Sequence, residues 1–195
     1  SEVRHNLPEK WILSRLSKTI KLYNHQLDRF HFNEAAKVLY DFTWNDFCDW
    51  YVEIAKDKFY GDNIKDAKLA RVVSLKCIRT VLLLLHPYSP FITEELWSHF
   101  KEGHNSDLII SSWPKEESKL EDQLSEDRMV VLQEVVTAIR SIRSRMNVPL
   151  SKSFNLVVRC SNNQESFLNS NSQLLRSLGK VEDISMGDKI AKPAQ

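Results

Sequence analysis

Two groups of side chains have types and spacing suited to chemistry. Phe42, Trp44, Phe47, Trp50 and Tyr51 place five aromatic rings in ten successive positions. Such rings either form an apolar seam between helices or offer flat faces to unpaired bases, each stacked base being worth about 1–3 kcal/mol. Arg140 and Arg143 lie one helical step apart and are followed by Arg145; they suit phosphate contacts or a solvated helix face. Other arrangements fail on spacing. His99 and His104 are five residues apart and do not share a helical face, so no metal site is expected. Glu94 and Glu95 are neighbours that point in different directions on a helix, as on a solvated face. No glycine-rich phosphate loop, G-x-S-x-G elbow, H-E-x-x-H or calcium loop is present, so no catalytic residue is assigned.

The elements that position these groups read as helices. Four glycines and six prolines in 195 residues are too few for the many turns of an all-β sandwich or barrel. Hydrophobic residues make up 42% and charged residues 27%, the balance of a globular chain rather than a disordered one. Pro8 suits the first position of a helix, where its missing N–H is no loss. Leu13, Leu16, Ile20, Tyr23, Leu27 and Phe30 then recur at steps of three and four, one stripe of an amphipathic helix. Asn33 reads as the N-cap of a second helix that runs to about Phe59 and stops at Gly61. A third helix starts near Asp62 or Asn63 and ends at His86-Pro87. Ser89-Pro90 opens a fourth, reaching about Phe100, with Gly103 after it. Residues 104–114 form an extended connector. A fifth helix carries Met129, Leu132, Val135, Val136, Ile139, Ile142 and Met146 on one side, and Val148-Pro149 closes it.

Beyond Pro149 the pattern changes. Phe154, Leu156, Val158 and Cys160 alternate with Asn155, Val157 and Arg159 as in a strand; 162–178 reads as a helix ended by Gly179, and 181–184 as a second short strand. The expected fold is mainly α: a helical bundle over residues 1–149, then a small strand-helix-strand α+β portion over 150–195. Two strands bury little by themselves, so this portion reads as truncated, the start of a subdomain that continues past Gln195. The absence of an initiator methionine likewise suggests a piece of a longer chain. Cys48, Cys77 and Cys160 are odd in number and widely spaced, which fits a reducing cytoplasm better than a disulfide framework. The longest apolar run, 81–85, is far shorter than a membrane span. The net charge of +1 means that any grip on nucleic acid is local.

Four segments carry a specific resemblance. The string from Leu39 to Glu53, with Phe47-Cys48-Asp49-Trp50-Tyr51 at its centre, resembles the signature helix of the anticodon-binding domain in valyl-tRNA synthetases, members of class I of the aminoacyl-tRNA synthetases. Trp11-Ile12-Leu13-Ser14-Arg15-Leu16 is similar to the family's entry into that domain. The segment from Leu84 to Trp97, with His86-Pro87-Tyr88-Ser89-Pro90, resembles its helix-breaking turn, and Ala138 to Pro149 its late arginine-bearing helix. The Phe-Cys-Asp-Trp-Tyr run points to the valine enzymes rather than the isoleucine or leucine ones.

The resemblance implies a bundle that docks on the anticodon stem-loop of tRNA(Val), while a catalytic domain of the same chain uses ATP with magnesium to attach valine. Neither ATP-handling signature of class I occurs here; Pro149-Leu150-Ser151-Lys152-Ser153 is similar to one only superficially and lies in the wrong place. The family's editing domain and coiled-coil arm are absent as well. Carried over by motif, the anticodon contacts fall on Phe30, Leu96 and Arg15; Arg140, Arg143 and Arg145, by their type and spacing, are the candidates for contact with the tRNA backbone. A cytoplasmic monomer without cofactor in this segment is expected. The alternatives are the equivalent domain of an isoleucine or leucine enzyme, or a helical protein-interaction module whose aromatics are all core.

Overall fold

Pro8 lies in the first turn of α1 (Leu7–Asp28), and the helix buries Trp11, Ile12, Leu13, Leu16, Ile20 and Tyr23, as the periodicity requires. The structure, a computed structural model, describes residues 6–100, 107–149 and 151–188. Its chain divides into two compact units, Ser1–Glu126 and Asp127–Gln195. This division by packing falls inside a helix, ahead of the change from helical to strand pattern at 149/150.

In the first unit, α2 (Phe32–Asp41), a π-helical segment (Phe42–Val52) and α3 (Glu53–Phe59) follow one another, with helical dihedrals at both junctions. The aromatic spacing explains the π geometry. Phe42, Phe47 and Tyr51 are all buried and stack in sequence, with ring centroids 6.5 and 6.1 Å apart. A step of five residues in an α-helix is off by about 140°; closing hydrogen bonds to i+5 widens the turn and returns Phe47 to the side of Phe42. At the entry to this segment the Thr43 hydroxyl donates to the Leu39 carbonyl at 2.7 Å, a side-chain bond that competes with the regular ladder. Trp44 stays exposed and Trp50 half-buried, so the aromatic block is mostly core with one ring outside.

Asn63 caps α4 (Ile64–Leu85), accepting from the backbone N–H groups of Lys65 at 3.1 Å and Asp66 at 3.4 Å. Gly61 is required before it, because a Cβ there would stand 2.7 Å from the Asp57 carbonyl oxygen. The Tyr23 hydroxyl donates to the Leu84 carbonyl at 2.6 Å, joining α1 to the end of α4. Glu9, fully buried, pairs with Lys58 at 2.6 Å and joins α1 to α3. Pro90 then opens α5 (Pro90–Ser98). Trp97 packs with Leu82 and with Leu108, which sits in a short 3₁₀ turn, Leu108–Ile110. The connector thus contains turns rather than being wholly extended. It is pinned to α1: Trp113 Nε1 donates to Asn24 Oδ1 at 2.9 Å, and the Glu117 N–H donates to the Ser17 hydroxyl at 2.9 Å.

The second unit holds most of α6 (Gln123–Arg145), then β1 (Leu156–Arg159), α7 (Asn162–Ser170), α8 (Ser172–Gly179) and β2 (Ile184–Gly187). The strands pair in parallel, Leu156 with Ile184 through Arg159 with Gly187. The intervening helix is broken at Asn171, whose side chain turns back to the Phe167 carbonyl at 2.9 Å, and β2 begins later than the alternation suggested. At Gly179 a Cβ would meet Val181 and Ile139 side chains at 3.0–3.3 Å, so the small residue lets α8 approach α6. Mainly helical, with one small two-stranded sheet, the described chain has the expected fold class. Gly103 and His104 lie outside the described residues.

Candidate nucleic-acid interface

The turn after α1 carries a non-glycine residue with positive φ, Phe30. The Phe30 N–H donates to the Leu27 carbonyl at 2.8 Å and the His31 N–H to the Gln26 carbonyl at 2.9 Å. This is the paired ending of a Schellman motif, with Phe30 at the position that glycine usually takes. Phe30 has φ 58°, where a side chain costs about 1–2 kcal/mol. The result is a ring carried off the apolar stripe of α1 and into solvent, 78% exposed. The expectation that Phe30 continues that stripe is therefore corrected: the left-handed residue ends the helix before the ring reaches the core. The same turn starts α2 two residues early, with His31 at the cap position and Asn33 inside the first turn.

Two residues on, Phe32 is 54% exposed and meets Phe30 edge-on, centroids 6.2 Å apart. Phe30, His31, Phe32, Asn33 and Glu34 line an open cleft of about 420 Å³. The Tyr88 hydroxyl donates to the Phe32 carbonyl at 2.8 Å, so the turn between α4 and α5 is bound to the start of α2. From that turn α5 is oriented by its buried side. Thr93 Oγ1 bonds the Ser89 carbonyl and His86 Nδ1, each at 2.8 Å, and Trp97 enters the core. Ile92 and Leu96, four residues apart, stay on the outer side, Leu96 41% exposed. Two candidate contacts, Phe30 and Leu96, are thus apolar groups held in solvent by segments that Tyr88 joins.

A family described as the anticodon-binding domain of tRNA ligase matches residues 9–158. The chain belongs to this family. It is 36% identical over 186 residues to a valine–tRNA ligase of Enterococcus faecalis, covering 95% of this chain and 21% of the relative. It is 35% identical over 191 residues to one of Syntrophotalea carbinolica, covering 97% and 21%, and 40% identical over 151 residues to one of Listeria innocua, covering 77% and 17%. The chain therefore spans about a fifth of the length of these relatives.

The arginines of this anticodon-binding domain divide by environment. Arg15 Nε donates to Asp46 Oδ2 at 2.8 Å and Nη1 lies 3.7 Å from Glu126 Oε2, with 39% of the side chain exposed. Ser14 Oγ donates to Glu126 Oε1, Lys18 Nζ lies 2.9 Å from the same oxygen, and the Asp122 N–H donates to Ser14 Oγ at 2.9 Å. Arg15 is thus a cross-link between α1, the π segment and the first turn of α6 that still has solvent-facing surface. Burial pushes the Asp46 carboxyl above the usual carboxylate range, and the Arg15 guanidinium opposes this.

Arg140 and Arg145 are exposed on the second unit. Arg143 is 4% exposed. Its Nη2 donates to the Pro149 and Lys152 carbonyls at 2.7 and 2.6 Å, its Nη1 to the Lys180 carbonyl at 3.0 Å, and its guanidinium lies over the Phe154 ring at 5.1 Å. The assignment of Arg143 to the tRNA backbone is corrected accordingly: its donors hold together the loop after α6 and the end of α8. Sequence reasoning also missed Phe32, Tyr88 and the Ser14–Glu126 pair. Phe32 had a signal in its spacing from Phe30; the other two depend on contacts between residues 56 and 112 positions apart. Among the described residues no cluster of His, Cys, Asp or Glu could hold a metal ion, and no helix is long and apolar enough to cross a membrane.

Proposed function

We propose that this chain is the anticodon-reading part of a cytoplasmic valine–tRNA ligase and docks on the anticodon stem-loop of tRNA(Val). The observation that carries the reading is Phe30, an aromatic ring held in solvent by a left-handed residue where glycine would be cheaper. Backbone strain of this kind concentrates at functional sites. A base stacked on Phe30 gains about 1–3 kcal/mol, Leu96 supplies an apolar contact, and the exposed part of Arg15 meets a base edge or phosphate. Arg140 and Arg145 are left as the backbone contacts of the second unit. The activation of valine with ATP and magnesium, and its transfer to the tRNA, belong to the rest of such a ligase, which acts as a monomer.

Tryptophan fluorescence tests the reading. Stem-loops with valine, isoleucine and unrelated anticodons are titrated at low and physiological salt. Preference for the valine loop that persists in salt is expected. Equal binding to all three that salt erases sinks the reading, because it leaves only a generic electrostatic contact.

A further inference from the structure

We infer that the outer face of α4 is a second RNA contact that grips the phosphates of the anticodon stem; the inference rests on the anticodon-reading proposal. The helix carries five cations, Lys65, Lys68, Arg71, Lys76 and Arg79, against one acid, in a chain whose net charge is +1. The acid, Asp66, is engaged by the Asn63 side chain at 2.8 Å. The buried side chains of α4 include Ala67, Ala70, Val73, Ser74 and Cys77, so helical periodicity puts the cations together on the opposite side. Lys76 pairs with Glu117, and Arg79 donates to the Phe100 carbonyl at 2.7 Å. Lys65, Lys68 and Arg71 are exposed, at steps of three residues that advance about 4.5 Å each along the axis.

Position and chemistry select the partner. The α4 end that carries the Tyr88 turn is tied to the Phe30–Phe32 turn, and the three cations stand about 20–30 Å back along the helix from Leu85. A loop read at Phe30 continues as a base-paired stem, which presents closely spaced phosphates and no unpaired bases. Cations at regular steps fit that surface, since phosphate contacts position an RNA without reading its sequence. The stripe lies in the same compact unit as Phe30 and Leu96, so loop and stem contacts share one scaffold.

The test compares the chain with its K65Q/K68Q/R71Q variant, folding being checked by circular dichroism. The RNAs are a full-length tRNA transcript with the valine anticodon and the same loop on a minimal stem. For the transcript, the variant is expected to lose about tenfold in affinity at low salt, and the slope of log K against log salt to fall by about two to three. Affinity for the minimal hairpin and the preference among anticodons stay as they were. An unchanged slope, or equal loss on both RNAs, overturns the stem contact. Displacement of the transcript by polyglutamate at equal charge concentration overturns the RNA assignment in favour of an acidic protein surface. Failure of the unaltered chain to prefer the valine loop sinks the anticodon reading instead, while the slope comparison still decides the stripe.

Discussion

The Tyr88 hydroxyl donates to the Phe32 carbonyl at 2.8 Å, joining the turn that precedes α5 to the turn that displays Phe30. Y88F removes that bond together with the hydroxyl's interaction with Tyr23. It is expected to cost about 0.5–1.5 kcal/mol of stability, and to weaken binding of the valine stem-loop while affinity for unrelated loops stays unchanged. A thermal melt and a parallel fluorescence titration check this; loss of stability alone would make the bond merely structural.

Phe30→Ala separates display from packing. A buried phenylalanine costs about 3–5 kcal/mol when truncated, whereas this ring is 78% exposed, so less than about 1 kcal/mol of stability is expected. Stem-loop affinity should fall by about 1–3 kcal/mol if a base stacks there. Phe30→Gly, at φ 58°, should melt no lower than wild type, since glycine accepts that backbone freely, and should bind as poorly as the alanine variant.

Glu126 is the hub to which Ser14, Arg15 and Lys18 all point. Glu126→Ala leaves the buried Ser14 hydroxyl without its acceptor and is expected to destabilise the first unit by about 2–3 kcal/mol. Ser14→Ala alone should cost less. Chemical denaturation of both variants gives the comparison.

Acid sensitivity has one defined source at the connector. A hydrogen bond from Lys76 holds the Glu117 carboxyl below its usual value near 4.5, against the opposing effect of burial. A depressed carboxyl contributes stability above its unfolded value and loses it as pH falls through the folded one. Lys76→Met should therefore cost no more than about 1 kcal/mol of stability at pH 6, because the pair is partly exposed, and this reads as a lower thermal midpoint. The difference from wild type should shrink as pH falls below about 4.5.

Arg143→Met removes the donors of the Pro149, Lys152 and Lys180 carbonyls. The carbonyls belong to exposed residues and the bonds are only part-buried, so a loss of about 1.5–3 kcal/mol is expected. Hydrogen exchange should show it in β1 and β2, with α1 and α4 unchanged. Arg140→Ala, at an exposed position, should change stability by less than about 0.5 kcal/mol.

Helix positions were largely legible before any coordinates, because caps and periodicity are local. Pro8, Asn63 and Pro90 mark helix starts where the structure has them, and Gly61 marks a stop. Asn33 misled because the left-handed turn at Phe30 had already reversed the chain, and nothing in the residue type announces a phenylalanine in a glycine slot. The aromatic block read as either core or stacking surface; the π turn resolved it by gathering Phe42, Phe47 and Tyr51 inside and leaving Trp44 out.

What the sequence determined by itself is the mainly helical architecture and, through strings such as Phe47-Cys48-Asp49-Trp50-Tyr51, membership of the anticodon-binding family. The tertiary structure alone decided which side chains face solvent. Arg140 and Arg143 are alike in type and one step apart, yet only Arg143 is buried, because carbonyls from as far along as Lys180 converge on it. Periodicity records how a helix divides into sides; which side is covered depends on distant segments that fold over it, and that information is not local to the helix.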